Sequence, residues 1–360
     1  MNRILMWAIA LSAIAGGLDK IFGNRLGLGK RFDEGFNLIG PMISGMVGIL
    51  CLTPILSGIL KATLAPLFLK MGLDPSILAG ILPIDMGGFQ LAADMAEDPM
   101  VGLFSGVILT ATFGCTLAFT IPVGFGMMKE ENRKGFILGI MYGLIFLPIP
   151  LMLGGIISGL GIRRTAFQSL PILLLAFLLA LGIWKAPEKI TRGFMIFAIL
   201  IRALSVIGIL AGLTEYLTGF SLLPGILPLR EALVSAALCS VLLIGCIPFT
   251  EILNRVFHRP LHAIGSGIGL QDKGITGLLL SLVSVTATLG AMYDMKPGDV
   301  TVNAAFLVSA AAVFGPHLSV CAINAPELVP SLITAKLIGG FCTAVFAVIM
   351  IRRKNHPSAA

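Results

Sequence analysis

Few ionisable side chains lie within the long apolar stretches of this 360-residue sequence, and they are the first candidates for chemistry. Asp85, Arg202, His317 and Lys336 lie inside such stretches, and Glu34 lies where another one begins. An ionisable group in an apolar membrane segment costs a few kcal/mol and needs a partner or a wet cavity. These residues therefore indicate a polar site within an apolar protein.

Asp85 lies in the segment Leu82-Pro83-Ile84-Asp85-Met86-Gly87-Gly88-Phe89-Gln90. Pro83 lacks an N–H donor and the glycines loosen the backbone, so a helix should break here and free carbonyl and amide groups. Asp85 has two interpretations: it binds or gates a cation, or it caps the half-helix that follows. If Asp85 binds a cation, its neighbours Gly87, Gly88, Phe89 and Gln90 belong to the same predicted substrate site.

Two further polar groups lie near predicted breaks in the second half of the sequence. Ser284, Thr286 and Thr288 form a hydroxyl cluster, which could coordinate a polar substrate or bond to carbonyls of its own helix. His317 follows a Gly-Pro pair; it could be a core hydrogen bonder, accept a hydrogen bond from a substrate, or titrate near neutrality. Asn324 lies two turns further on and could share that cavity.

Glu34 and Lys336 each have a purely structural interpretation as well. Glu34 begins a span, where a carboxylate complements the helix dipole. Lys336 near a span end could extend its ammonium to the interface. Alternatively, Glu34 supports the site, and Arg202 and Lys336 pair with the carboxylates.

The elements that must position these residues come from an internal repeat. Residues 32–127 align with residues 229–325 at an offset that drifts slowly, pairing Glu34 with Glu231, Gly48 with Gly245 and Phe113-Gly114 with Phe314-Gly315. The alignment places Ser284 opposite the Asp85 segment and Thr116 opposite His317, so Thr116 is a supporting candidate. Two long homologous halves in an apolar chain are typical of transporters.

Composition identifies an integral membrane protein. The sequence is 57% hydrophobic and 12% charged, far below the roughly one quarter charged residues of soluble domains. Nine long apolar stretches could cross the bilayer: 4–19, 36–60, 100–127, 136–159, 169–184, 193–217, 231–253, 301–322 and 331–351. The first resembles a signal peptide but is interpreted as a retained span, because 193–217 has the equivalent place before the second repeat.

Two more apolar segments, 76–93 and 274–293, are either full spans or re-entrant. If both enter and leave on one side, the loop Lys and Arg residues divide 17 to 6 between the two sides, which is a clear cytoplasmic excess. The repeats are then inverted, with the N-terminus outside. The predicted fold is an all-α polytopic membrane protein with about 9–11 membrane segments and two inverted repeats with discontinuous helices.

One transport domain accounts for the whole sequence. Repeat one spans about 1–160, a linker span about 161–190, repeat two about 191–351, and a basic tail 352–360. The six cysteines lie in apolar stretches without metal-site spacing, and the +7 charge lies in short loops rather than in a nucleic-acid surface. Nucleotide-binding and hydrolase motifs are lacking, so the sequence predicts no catalytic residue, metal or cofactor and no enzyme.

Several motifs resemble those of the bacterial ethanolamine permeases of ethanolamine-utilisation operons. They run in order along the chain: Asp33-Glu34-Gly35-Phe36, Asp85-Met86-Gly87-Gly88-Phe89, Pro187-Glu188-Lys189, Gly193-Phe194-Met195-Ile196-Phe197-Ala198, His317-Leu318, Asn324 and Lys336-Leu337-Ile338-Gly339-Gly340. The sequence departs from the family at Ser284-Val285, where paired asparagines are usual, and at Pro316, where Asp is expected. The resemblance implies uptake of ethanolamine, or of a related small amine, across the bacterial cytoplasmic membrane.

The chemistry of ethanolamine suits the candidate residues. Asp85 and free carbonyls could bind the ammonium, His317, Asn324 or Ser284 the hydroxyl, and Phe89 could offer a ring face. Transport could be facilitated diffusion or ion-coupled, and the rival hypothesis is a membrane sensor or scaffold associated with a microcompartment. Lipid is the expected surroundings, and a homo-oligomer is left open.

Overall fold

The computed structural model describes residues 2–267 and 270–355, and within these ranges the chain is helical and has no strands. Eight helices in this part of the chain are long and apolar enough to cross a membrane: Arg3–Ile21, Leu28–Thr63, Pro99–Met127, Glu130–Ile157, Ile162–Lys185, Pro187–Thr218, Leu229–Val256 and Pro326–Arg353. About 20 apolar residues suffice to cross a bilayer. The predicted all-α, multi-pass membrane architecture is confirmed.

Ten α-helices make up the first half of the chain: α1 (Asn2–Ile21), α2 (Leu28–Asn37), α3 (Ile39–Thr63), α4 (Ala65–Lys70), α5 (Gly88–Met95), α6 (Pro99–Phe104), α7 (Ile121–Met127), α8 (Glu130–Phe146), α9 (Pro148–Ile157) and α10 (Ile162–Lys185). Eight follow in the second half: α11 (Pro187–Thr218), α12 (Leu229–Val241), α13 (Leu243–Gly267), α14 (Asp272–Ser281), α15 (Val285–Met292), α16 (Pro297–Ala310), α17 (Pro316–Asn324) and α18 (Val329–Asn355). The predicted tail 352–360 therefore begins as helix, and residues 356–360 lie outside the described ranges.

The two ambiguous apolar segments are not continuous helices. Residues 76–93 form the 3₁₀ turns Pro75–Ile81 and Ile84–Met86 followed by α5. Residues 274–293 form α14 and α15, which are separated by residues 282–284. Neither segment is among the eight candidate spans, and a re-entrant path for them stays a prediction.

The apolar stretch 301–322 is not one continuous helix, because the chain breaks between α16 and α17, just before the Pro316 of the Gly-Pro pair that predicted a break. Ala312 has a φ of 53°, and its N–H donates to the Ser281 carbonyl over 2.7 Å. Phe314 donates likewise to Leu282 over 2.8 Å. The break is thus hydrogen-bonded to the end of α14, and this satisfies backbone groups that would otherwise be unpaired within the protein.

The first span of each predicted repeat packs against the other repeat, an arrangement called here the exchange of first spans. Helix α3 packs against α11, and helix α13 packs against α1. A Cβ on Gly48 of α3 would come within 2.7 Å of Ser205 Cα, and one on Gly245 of α13 would come within 2.7 Å of the Ile9 carbonyl. The two glycines that the repeat alignment pairs therefore make equivalent contacts, as close helix packing in membranes requires.

The buried segment between α6 and α7 is a π-helix. Residues Ser105–Gly114 and Thr116–Thr120 have π-helical geometry between α6 and α7, and every residue of the first segment is buried. A π-helix bonds each N–H to the carbonyl five residues earlier and is common at functional sites. This segment forms the wall against which α5 and the first break pack.

Candidate functional site

A cavity of about 230 Å³ lies between the two broken segments. Its walls come from the first turns of α3, the turn before α5, the π-helix, the start of α13, the second break with the start of α15, and the start of α17 with the break before it. The lining residues are Leu38, Pro41, Met42, Gly45, Asp85, Met86, Cys115, Phe119, Leu243, Val283, Ser284, Val285, Thr286, Ala312, Pro316 and His317. Four of the predicted site residues line it: Asp85, Ser284, Thr286 and His317.

Asp85 projects into this cavity from a turn that the neighbouring residues impose. Pro83 is extended, with φ −64° and ψ 146°, and Gly87 is left-handed, with φ 87°. The Asp85 side chain is 27% exposed, and no other described residue donates a hydrogen bond to its carboxylate. Helix α5 begins after Gly87 without a side-chain cap, so the interpretation of Asp85 as a helix cap is wrong.

His317 faces Asp85 across the cavity. Its side chain is 1% exposed, and Nε2 lies 4.0 Å from Asp85 Oδ1, which is too long for a hydrogen bond. Nδ1 is buried and has no hydrogen bond of normal geometry within the described chain. A small polar molecule could therefore contact both side chains.

The hydroxyl groups of the second break divide between the cavity and the backbone. Ser284 is the N-cap of α15, and its Oγ accepts a hydrogen bond from the Ala287 N–H over 3.2 Å. Thr286 lines the cavity and is exposed there. Thr288 points away, because its hydroxyl donates to the Ser284 carbonyl over 3.0 Å, so Thr288 has the backbone-bonded role.

Several predicted residues lie outside the cavity. Phe89 packs in the core against Gly106 of the π-helix, so its ring does not line the wall. Gly87 and Gly88 are buried and shape the turn. Gln90 and Asn324 contact each other instead, with 3.4 Å between Gln90 Nε2 and Asn324 Oδ1.

Thr116 also lies outside the cavity. Its hydroxyl donates to the carbonyls of Thr112, over 2.9 Å, and of Val308, over 3.3 Å. It therefore joins the π-helix to α16 rather than facing a ligand.

Three charged residues had alternative interpretations from the sequence, and the structure contradicts at least one of them for each residue. Glu34 lies in the second half of α2 rather than in its first turn, so the helix-dipole interpretation is wrong; its repeat mate Glu231 is in the first turn of α12. Lys336 is fully buried and donates to the Ala111 carbonyl over 2.5 Å, so it does not reach the interface. Its ammonium is within Coulombic reach of Asp85, whereas Arg202 is exposed on α11.

Sequence reasoning missed the apolar and small residues of the cavity wall. Cys115 and Phe119 are four residues apart on the π-helix, and Pro41 and Gly45 are four apart on α3. Such spacing places residues on one helix face, which is the signal that could have identified them. Within the described chain, no cluster of three metal-ligating side chains occurs at this cavity or elsewhere.

Comparison with known proteins identifies the family. The family model described as "Ethanolamine utilisation protein, EutH" matches residues 1–350. The chain is 35% identical over 361 residues to the "Probable ethanolamine permease EutH" of Listeria monocytogenes, covering 100% of the chain and 97% of that relative. It is 31% identical over 398 residues to the protein of the same name from Escherichia coli, covering 100% and 97% respectively.

An "Uncharacterized protein YxeR" of Bacillus subtilis is 35% identical over 351 residues, covering 97% of the chain and 95% of that relative. No solved structure matches the chain. The resemblance that the sequence motifs predicted is confirmed, and the multi-pass helical fold agrees with the permease names of the relatives. The chain belongs to the EutH family of ethanolamine utilisation proteins.

Proposed function

We propose that this protein carries ethanolamine across the bacterial cytoplasmic membrane and that the Asp85 carboxylate binds the ammonium group. The observation that carries this proposal is the placement of Asp85, whose carboxylate is exposed to a cavity at the break between short helices and has no donor from another residue. A carboxylate inside a membrane protein is costly without a partner, and the nearby Lys336 ammonium donates to the Ala111 carbonyl rather than to Asp85. A small ammonium ion supplies charge and N–H donors together.

The size and the remaining polar groups of the cavity suit the same molecule. A volume of about 230 Å³ holds four non-hydrogen atoms with space for water. With the ammonium on Asp85, the hydroxyl of ethanolamine can reach His317, whose Nε2 lies 4.0 Å from Asp85 Oδ1, and Thr286 is a further hydroxyl in the wall of the same cavity. The apolar remainder of the wall covers the two methylene groups and excludes larger charged molecules.

The relatives' names support ethanolamine as the substrate, and the fold supports a transport route through the cavity. Two named relatives are probable ethanolamine permeases. The cavity lies where two discontinuous segments meet, which is where secondary transporters with inverted repeats bind their substrates. In this proposal the two halves move around the cavity and open it to each side in turn.

Uptake of radiolabelled ethanolamine into proteoliposomes tests the role of Asp85. We expect Asp85→Asn to raise the half-saturating concentration by about tenfold to a hundredfold, because one charge-assisted interaction is lost while the shape is kept. The matched control is Asp94→Asn, which changes an exposed carboxylate on α5 outside the cavity and should leave uptake unchanged. Parental affinity in Asp85→Asn would assign Asp85 a structural role.

The same vesicles decide between facilitated diffusion and an ion-coupled carrier. A facilitator brings internal ethanolamine to its equilibrium with or without an imposed proton or sodium gradient. A coupled carrier accumulates it beyond equilibrium only while the gradient lasts. Addition of a protonophore during uptake separates the proton-coupled case from the others.

A further inference from the structure

A second cavity, of about 260 Å³, adjoins the first. It is enclosed by α2, α13 and the second break: Arg31, Glu34, Asn37, Leu38, Ile247, Glu251, Asn254, Leu280, Val283, Ser284 and Ala287. Three of these residues, Leu38, Val283 and Ser284, also line the first cavity. The two cavities therefore share a wall, and the second has three charged residues, Arg31, Glu34 and Glu251, whereas the first has Asp85.

Arg31 lies between two carboxylates in this second cavity. Its Nη1 is 2.8 Å from Glu34 Oε2, and its Nε is 3.0 Å from Glu251 Oε2. Arg255 holds the other oxygen of Glu251 over 2.8 Å. The side chain of Glu251 is 16% exposed against 50% for Glu34, so Glu251 is the more enclosed anion.

An unused acceptor lies beside these charges. Asn254 follows Glu251 by three residues on α13 and lines the same cavity. Its Oδ1 is buried and has no hydrogen-bond donor within the described chain. Buried amide oxygens are normally hydrogen-bonded, so this one indicates a place for a donor that the chain does not supply.

We propose that the second cavity is a second binding station for the ammonium group, on the route between the first cavity and the side of the membrane with the basic loops, and that Arg31 is its gate. The proposal rests on the proposed function, because it needs the substrate to be a small ammonium ion. Such an ion has three N–H donors, enough for Glu34, Glu251 and Asn254.

In this arrangement the Arg31 guanidinium and the substrate ammonium can replace each other at the two carboxylates. With Arg31 in place, its guanidinium pairs both carboxylates and the station is closed. When a substrate ammonium enters from the shared wall, Arg31 can turn towards solvent, since its side chain is 39% exposed. Neither state leaves Glu251 unpaired, which matters because an unpaired carboxylate in an enclosed site is strongly destabilising.

Two cysteine probes can report on the two cavities separately. Thr286 lines only the first cavity and Ala287 only the second, and both residues are exposed. Thr286→Cys and Ala287→Cys are introduced into a variant without the six native cysteines that retains ethanolamine uptake. The rate of alkylation by a small thiol reagent is then measured in proteoliposomes at increasing ethanolamine concentrations.

We expect ethanolamine to protect both positions, and Glu251→Gln to raise the concentration for half-protection at position 287 about tenfold while position 286 is unaffected. Arg31→Gln should lower that concentration at position 287, because the competing guanidinium is removed. Asp33→Asn is the matched control, since it breaks the exposed ion pair between Lys20 of α1 and Asp33 of α2, outside the cavity, and should change neither position.

The outcomes separate this inference from the proposed function. Protection at 286 that is never accompanied by protection at 287, in the parent or in Arg31→Gln, would overturn the second station alone. Equal protection at 287 in the parent and in Glu251→Gln would overturn it as well. Absence of protection at both positions would contradict ethanolamine binding, and the second station with it.

Discussion

At the scale of single residues, the most informative distance is the 4.0 Å between His317 Nε2 and Asp85 Oδ1. Two polar atoms at this separation do not bond directly, but one small group between them can contact both. In the proposed arrangement, the Asp85 carboxylate accepts from the ammonium group of ethanolamine and the His317 imidazole accepts from its hydroxyl.

A substitution at His317 tests this arrangement. We expect His317→Ala to raise the half-saturating ethanolamine concentration by about tenfold, the equivalent of one hydrogen bond of roughly 1.4 kcal/mol. His317→Gln should retain more affinity, since its amide keeps a neutral acceptor. The measurement is the concentration dependence of uptake, normalised to the amount of protein in the membrane.

His262→Ala is the control for the His317 variants. His262 pairs with Asp272 over 2.7 Å and lies outside both cavities, so its removal should leave affinity unchanged. If His317→Ala binds ethanolamine as the parent does, His317 contributes only to packing.

The key polar residues of the cavity were predictable from the sequence, but the directions of the neighbouring side chains were not. Asp85 and His317 were identifiable because an ionisable group in an apolar membrane segment costs free energy and is therefore a candidate for a functional role. Phe89 and Thr288 were assigned to the site by proximity along the chain, and both point elsewhere because helix geometry turns neighbouring residues onto different faces. The buried position of Lys336 was the hardest feature to predict, because its hydrogen-bond partner Ala111 is 225 positions away in the sequence.

At the scale of elements, the turn at Gly87 places the Asp85 carboxylate. Gly87 has a φ of 87°, a conformation that other residues rarely adopt, and a Cβ there would come within 2.6 Å of Ile49 Cγ2. The backbone can therefore pass from the 3₁₀ turn into α5 with this conformation because a glycine stands at this position. The conformation of one residue determines where the charge points.

Gly87→Ala should destabilise the fold by roughly 1–3 kcal/mol, because alanine is strained at positive φ and its methyl group overlaps Ile49. The midpoint of thermal unfolding in detergent measures this effect. Gly126→Ala is the control, since Gly126 is an exposed residue of α7 whose added methyl would contact nothing within 4 Å. Equal unfolding midpoints for the two variants would contradict a special role for Gly87.

Breaks in helices were predictable from Pro and Gly, whereas the type of helix was not. Pro83 and the Gly315-Pro316 pair mark breaks because proline lacks a donor and glycine is permissive. The π-helix at Ser105–Gly114 has no such mark in the sequence. This segment packs mainly against the Pro75–Ile81 turn and α5, and such tertiary contacts are not contained in local sequence preferences.

At the scale of the whole molecule, the exchange of first spans links the two predicted repeats. Helix α1 packs on α13 and helix α11 packs on α3, through glycines that the repeat alignment pairs. This agreement supports the repeat and leaves its orientation in the membrane to be tested. The distribution of basic loop residues predicts that the two repeats are inverted.

The substitutions Glu97→Cys and Lys296→Cys test whether the two repeats have opposite orientations in the membrane. Both residues are exposed, next to Asp98 and near Asp299, which are equivalent places in the two repeats. In a variant without native cysteines, we expect an impermeant thiol reagent to label position 97 from outside and position 296 only from the cytoplasmic side. Labelling of both positions from one side would refute the inverted arrangement.

The exchange of first spans also has a consequence for the order in which the protein is made. Helix α1 is complete at Ile21, but its partner α13 begins at Leu243. About 220 residues must be added in between, which takes roughly 10–45 s at ordinary rates of translation. During that interval the α1 surface that will receive Gly245 lacks its α13 partner. A ribosome that stops before Leu243 releases a chain with this surface uncovered, and membrane quality control could distinguish it from the finished protein.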